Sequence, residues 1–220
     1  MMTNLSPEAL RQAKREVRAQ MRQLRAEISK NDRFLAGKQA ADMLFDLRGL
    51  ALVPRFCSFA SYLSTDEEFP TEELHLALFQ VGAAVAVPRF SQRMQDYHWS
   101  PLPPGAPLRQ GPHGIWEPAE PLRASRAAIE VVLVPGLAFD IRGGRIGYGA
   151  GIYDRLLAQL RPGVLRIGVA YNCQVLRDPL PQEAHDRQMD YIVTEDHWID
   201  CRRARNVRRP GFGTPTPVVK

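Results

Sequence analysis

Residues 129–136 read IEVVLVPG, an apolar run without the alternation that a half-solvated strand would show. A strand this uniformly apolar needs cover on both faces, which is the condition of a central strand in a parallel sheet with helices above and below. Four further runs, FCSFASYL (56–63), AAVAVPRF (83–90), VLRIGVAY (164–171) and MDYIVTE (189–195), are short, apolar or β-branched, and read as strands. Helical stretches fall between several of them, TEELHLALFQ at 71–80 and IYDRLLAQL at 152–160. Strand alternating with helix specifies a parallel α/β sheet.

Two helices precede the first strand. Ser6-Pro7 is a start signal, and Leu10, Ala13, Val17, Met21, Leu24 and Ile28 recur at three- and four-residue steps. Arg11, Lys14, Arg15, Arg18, Arg22 and Arg25 fall on the other faces, so the helix is expected to be amphipathic with a basic surface. A second helix is expected over 32–47, with Phe34, Leu35, Met43, Leu44 and Leu47 on its apolar face. Residues 91–120, rich in Pro and Gly with Tyr97, His98, Trp99 and Trp116, read as an irregular excursion holding one strand at DYHWS.

The 220 residues fit one domain, and 45% apolar content suffices for a core. There is no run of about 18 apolar residues and no apolar signal core at the N-terminus, so a soluble, cytoplasmic protein with no membrane partner is expected. Cys57, Cys173 and Cys201 have no CxxC spacing, which argues against a disulfide framework or a zinc site. Six of the cations behind the net charge of +5 lie in residues 201–220, which hold no acid, so the first 200 residues carry −1. The domain is therefore expected over 1–200, followed by a disordered basic tail over 201–220.

Residues 140–157, DIRGGRIGYGAGIYDRLL, place five glycines within positions 143–151, ahead of a helical segment. Where strands end and helices begin in an α/β sheet, free backbone N–H groups attract phosphate, and glycine lets the backbone come close. The spacing is neither GxGxxG nor GxxxxGK[ST]. Gly143-Gly144 alone would suit a hairpin turn, but a hairpin needs no glycine at 147, 149 and 151, so a phosphate loop and a long turn both stay open.

VPGLAFDIRGGRIGYGAGIYDRLL resembles the signature segment of the 5-formyltetrahydrofolate cyclo-ligases. KREVR (14–18), YLSTDEEFPT (62–71), VPRF (87–90), GIWEP (114–118) and EAHDRQMDYIVTE (183–195) resemble further elements of that family in the same order, so the likeness runs from Lys14 to Glu195. It implies a single-domain, Rossmann-like three-layer α/β sandwich, a mostly parallel sheet with helices on both faces. It also implies a monomeric enzyme that uses ATP and Mg²⁺ to convert 5-formyltetrahydrofolate to 5,10-methenyltetrahydrofolate. By the same resemblance Lys14, Arg145 and Tyr153 are catalytic, and Lys14, Arg18, Arg145, Gly147, Gly149, Gly151 and Tyr153 hold ATP. Leu63, Glu68, Trp116, Tyr148 and Ile152 face the folate, and Asp154 and Asp186 hold the metal. One of only four lysines in the chain falls on the motif position at Lys14. Arg11, Arg22 and Arg25 are expected to be solvated, and His98, His113 and His185 structural or solvent-facing.

The chain departs from the family pattern at Ile152, where an aromatic residue is common, and at Ala150 and Tyr148. Two other classes remain open on sequence alone. One is a different ATP- or phosphate-binding α/β enzyme sharing the glycine loop, from which Glu68 and Leu63 would discriminate. The other is a nucleic-acid-binding module using the basic tail, although no paired aromatics or binding motif accompany it and no nucleic-acid partner is expected.

Overall fold

Val131–Val134 form the middle strand of a seven-stranded sheet in the computed structural model of the chain, which describes residues 6–45, 58–183 and 186–205. In chain order the strands are β1 (Ser58–Ala60), β2 (Ala84–Ser91), β3 (Asp96–Pro101), β4 (Leu108–Gln110), β5 (Trp116–Pro118), β6 (Val131–Val134), β7 (Ala138–Asp140), β8 (Arg145–Ile146), β9 (Leu165–Val169), β10 (Val175–Leu176), β11 (Tyr191–Val193) and β12 (Trp198–Asp200). The α-helices are α1 (Pro7–Ala26), α2 (Lys30–Phe45), α3 (Glu72–Gln80), α4 (Ile152–Ala158) and α5 (Cys201–Arg205).

The sheet order is β12-β11-β9-β6-β1-β2-β3. Its five inner strands pair in parallel, and β3 and β12 run antiparallel at the two edges. All four valine-rich positions of β6 are buried, and they alternate between two cores. Val131 and Leu133 join Phe59, Ile167 and Val193 beneath α2 and α3, through Ala36, Ala40, Leu44, Leu74 and Leu78. Val132 and Val134 join Ala60, Ala86 and Ile192 on the opposite face, against Leu156, Leu157 and Cys201 from α4 and α5. A side chain in either core contributes about 1.5 to 3 kcal/mol by leaving water, so the unbroken apolar run is what sandwiching demands. The three-layer α/β expectation holds. No helix among the described residues is long and apolar enough to cross a membrane.

Helix α1 begins as its sequence indicates, with Ser6 Oγ accepting from the Ala9 N–H at 3.2 Å and Pro7 in the first turn. Val17 and Met21 pack on Ala138, Ile146 and Leu176 of a small sheet ordered β10-β7-β8, and on Leu137 just before it. Lys14 and Arg25 are also buried on this stripe, which corrects the solvated reading of Arg25. In α2 the buried face is Ala36, Ala40, Ala41 and Leu44, whereas Phe34 and Leu35 are exposed. The small residues win because the helix lies close to its neighbours: a Cβ on Gly37 would sit 3.0 Å from Pro70 Cγ. Leu47, like Phe56 and Cys57, lies outside the described residues.

The excursion at 91–120 is more regular than its composition suggests, since β4 and β5 pair antiparallel within it. The glycine stretch divides in two. Asp140 to Gly144 turn the chain between β7 and β8, an antiparallel hairpin in which Asp140 Oδ1 accepts the N–H groups of Arg142 and Gly144 at 2.7 and 3.0 Å. Gly143 is obligatory there: its φ is +90°, and a Cβ would lie 2.2 Å from the Met189 carbonyl oxygen. The rest, from Gly147, leads into α4. At the other end the folded body runs past Asp200, because Cys201 is fully buried and Arg205 donates to Gln188 at 2.8 Å. Residues 201–205 of the expected tail are thus helix, and 206–220 lie outside the described residues.

Candidate active site

Beyond the carboxyl ends of β1 and β6 lies a cavity of about 800 Å³, the position where open α/β sheets bind ligands. Its wall is made by α1, the segment after β1, and the loop from Arg145 to Asp154. Every site residue expected from the sequence lines it except Trp116. That tryptophan is 45% exposed. It sits on β5 between Ile115, which does line the cavity, and Glu117, which is fully buried. The twofold alternation of an extended segment turns Trp116 outward. Glu117 anchors this segment by accepting from Arg109 at 2.6 and 3.0 Å and from the Phe90 N–H at 2.7 Å.

Three cations of the cavity lining are paired or bonded within the protein. Lys14 Nζ donates to Glu183 at 2.8 Å and to Asp186 at 2.7 Å. Burial works against its charge, but these two hydrogen bonds and the charges of both acids outweigh it, and the lysine pKa stands above its ordinary value. Four residues on, one turn along the helix, Arg18 Nε donates to the Gly147 carbonyl at 2.9 Å. Its pKa is lowered, first by burial and then by the neighbouring Arg22 charge. Arg145, 7% exposed, reaches Asp154 at 2.5 Å and lies 6.0 Å from the centre of the Tyr153 ring. Gly147 makes room for it, since a Cβ there would stand 2.8 Å from Arg145 Nη1. Two buried donors here, the Tyr153 hydroxyl and Arg145 Nε, have no hydrogen-bond partner among the described residues. Such groups are uncommon in a folded protein and call for an explanation.

The same cavity is lined by Leu63, Glu68, Tyr148 and Ile152, together with Tyr62 and Thr65. Glu68 Oε2 accepts from the Thr65 N–H at 3.0 Å and the Thr65 hydroxyl at 3.2 Å. Burial pushes its carboxyl pKa up, against these two donors, the Arg25 charge and the Tyr148 hydroxyl, all of which favour the ionised form. Glu67 has a side chain 75% exposed, so Glu68 is the inward member of the pair. Thr71, whose spacing to Glu68 marks the motif, bonds instead to the Tyr62 carbonyl at 2.8 Å.

Glu183, Tyr62 and Thr65 were not singled out from sequence, and Arg25 was expected to be solvated. Glu183 stands three residues before Asp186 in the same quoted segment. Arg25 is eleven residues after Lys14, three turns along one helical face, a spacing that could have marked it. His98 is buried on β3, and His185 and the side chain of His113 lie outside the described residues.

A Rossmann-like sheet with cations, carboxylates and a glycine loop converging at its strand ends has the form of an α/β enzyme with its site at the strand ends. The sequence profile of the 5-formyltetrahydrofolate cyclo-ligase family matches residues 10–195, and the chain belongs to this family of ligases, with the cyclo-ligase activity that its name states. The 5-formyltetrahydrofolate cyclo-ligase of Saccharomyces cerevisiae is 37% identical over 166 residues, 64% of this chain and 78% of the yeast protein. That of Haemophilus influenzae is 27% identical, over 80% of this chain and 94% of its own. The structure of the 5,10-methenyltetrahydrofolate synthetase of Aquifex aeolicus superposes with a TM-score of 0.71 at 28% identity, covering 91% of this chain and 97% of its own.

Proposed function

We propose that the chain catalyses the ATP- and Mg²⁺-dependent conversion of 5-formyltetrahydrofolate to 5,10-methenyltetrahydrofolate, releasing ADP and phosphate. The observation that carries this reading is a single cavity lined both by Lys14, Arg18, Arg145 and the glycine loop and by the Glu68 carboxylate. A formyl amide is a poor electrophile. Transfer of the γ-phosphoryl group to the formyl oxygen breaks its bond to ADP and gives that oxygen a leaving group. N10 then attacks the formyl carbon and loses its proton, and the C–O bond breaks to release phosphate.

Phosphoryl transfer of this kind rests mainly on positioning and charge neutralisation. Lys14, Arg18 and Arg145 take the polyphosphate. The Tyr153 hydroxyl and Arg145 Nε, without a hydrogen-bond partner among the described residues, are donors suited to oxygens entering the cavity. Asp154 and Asp186 already lie beside those cations. Among the described residues no three His, Cys, Asp or Glu side chains form a metal cage. Two carboxylates nevertheless suit Mg²⁺, which keeps waters and substrate phosphates as its other ligands. When bound, the metal would supply neutralisation of phosphate charge. Glu68 accepts from the N–H edge of the pterin, and Leu63 and Ile152 give its rings apolar contact.

Mixing the protein with 5-formyltetrahydrofolate and Mg-ATP should develop the methenyl absorbance, and leaving out either ATP or Mg²⁺ should abolish it. Folded protein that forms no chromophore on long incubation would overturn the proposal.

A further inference from the structure

Lys14 Nζ is shared by two carboxylates, Glu183 Oε2 at 2.8 Å and Asp186 Oδ2 at 2.7 Å. The same Asp186 oxygen accepts the Glu183 N–H at 2.9 Å, so the two acids and the ammonium form one closed unit. Arg145 is engaged in the same manner, its Nη2 on Asp154 Oδ1 at 2.5 Å. Each acid assigned to the metal under the proposed function therefore sits on a cation assigned to the polyphosphate. Among the described residues the cavity lining carries as many carboxylates as cations, five of each. Glu183 has no part in the metal assignment, yet its carboxylate lies on Lys14 about as closely as that of Asp186 does.

A polyphosphate reaching for Lys14 or Arg145 has to part each of them from a carboxylate. The Asp186 side chain is only 13% exposed, so without its cation it is left poorly hydrated and close to the incoming oxygens. Asp186 and Asp154 can instead pass to a divalent cation that arrives with the nucleotide, and the pairs then exchange, carboxylate to metal and ammonium or guanidinium to phosphate. Resting on the reading of this cavity as the nucleotide site, we propose that Glu183 makes Lys14 selective for the metal-bound nucleotide. It pairs with the ammonium from outside the metal set and keeps Lys14 neutralised against a polyphosphate that comes without its cation. Its side chain is 42% exposed, so Glu183 can turn to water once the exchange has taken place. A glutamate that only anchored the turn at 183–186 to α1 would affect stability and leave unchanged which form of nucleotide the cavity accepts.

The test is the binding of ATP by calorimetry, without folate so that nothing turns over, once in excess Mg²⁺ and once in EDTA. The parent should bind ATP about thirtyfold or more tighter with the metal. Glu183→Gln keeps the shape and removes the charge, so it should tighten binding in EDTA by about threefold or more and narrow that gap. Glu67→Gln removes the same charge from the same cavity lining, at a largely exposed side chain 3.9 Å from Arg25, and should narrow the gap by less than half as much. A folded Glu183→Gln protein with the parent's ratio overturns the proposal, and so does an equal narrowing in Glu67→Gln. If Glu183→Gln does not fold, Glu183→Asp, which draws the carboxylate back by one methylene, must narrow the gap in its place, and an unchanged ratio there overturns the proposal equally. A parent that binds ATP alike with and without the metal overturns it while leaving the nucleotide site standing. A parent that binds ATP under neither condition overturns the proposed function as well.

Discussion

Glu68 Oε2 is committed to Thr65, so in the proposed function the pterin edge would meet the remaining acceptor capacity of that carboxylate. Glu68→Gln preserves shape and puts an NH₂ where an acceptor stood, so a donor meets a donor. The loss should be on the order of 1 to 3 kcal/mol, read as a rise of about fivefold to more than a hundredfold in KM for the folate with little change for ATP. Equal shifts for both substrates would remove Glu68 from the folate side. His75 supports a different residue-scale expectation. It is buried on α3 with Nε2 2.8 Å from Ser61 Oγ, and burial lowers its pKa from 6.5 to about 4. As pH falls below about 6.5 the unfolded chain takes up a proton that the folded one refuses, so stability declines until about pH 4. Urea unfolding at pH 7.5 and pH 5 should show the parent losing about 2 kcal/mol more than His75→Gln, and parallel losses would show that His75 does not carry the effect. Much of the site was legible at this scale because Lys14, Arg18, Arg145 and Asp154 stand in local motifs whose spacing survives folding. Arg25 was not, because a helical stripe counted by apolar residues passes over the cation embedded in it.

At the scale of elements, the segment from β7 to α4 shows one composition serving two ends. Gly143 lets the β7–β8 hairpin press against the Met189 backbone, and Gly147 leaves space for the Arg145 guanidinium. The obstacle at 143 is backbone and the obstacle at 147 is the end of a flexible side chain, so alanine should act differently at the two. Gly143→Ala must move the chain and accept a left-handed φ, with an expected cost of about 2 kcal/mol or more and a clear fall in Tm. Gly147→Ala needs only Arg145 to shift, so Tm should hold within a few degrees while turnover falls about tenfold to a hundredfold through loss of a charge-assisted contact. Similar Tm losses in both variants would deny the division of the loop. Elsewhere, strand positions were legible from apolar runs that match β1, β2, β6, β9 and β11. The packing face of α2 was not, since periodicity marks large apolar residues and the close contact there selects Ala36, Ala40 and Gly37.

At the scale of the molecule, the doubly covered sheet follows from the run at 131–134, and the edge strand β3 from DYHWS, whereas the three-residue edge strand β12 (WID) is too short to carry an apolar pattern. The C-terminal boundary is where composition misled. Arginines at 202, 203 and 205 resemble the charge that continues to Lys220, and they conceal a short helix. Cys201 closes the core beneath β11 and β12, Arg205 bonds to Gln188 and lies 3.6 Å from Asp190, and Arg202 lies against the Tyr191 ring. Residues 206–220 add two arginines and a lysine with no acid and no apolar period. A chain ending at Arg205 should therefore melt within about 2 °C of the full length and keep turnover within about twofold, since a segment of that composition has little to bury. A chain ending at Asp200 loses a buried thiol and the contacts of α5, together worth about 1 to 3 kcal/mol, or a Tm lower by about 3 to 10 °C for a protein of this size. If both truncations melt alike, α5 contributes nothing and the domain ends at Asp200. If the longer one already loses several degrees, residues beyond Arg205 pack on the body, and their sequence conceals it as that of 201–205 did.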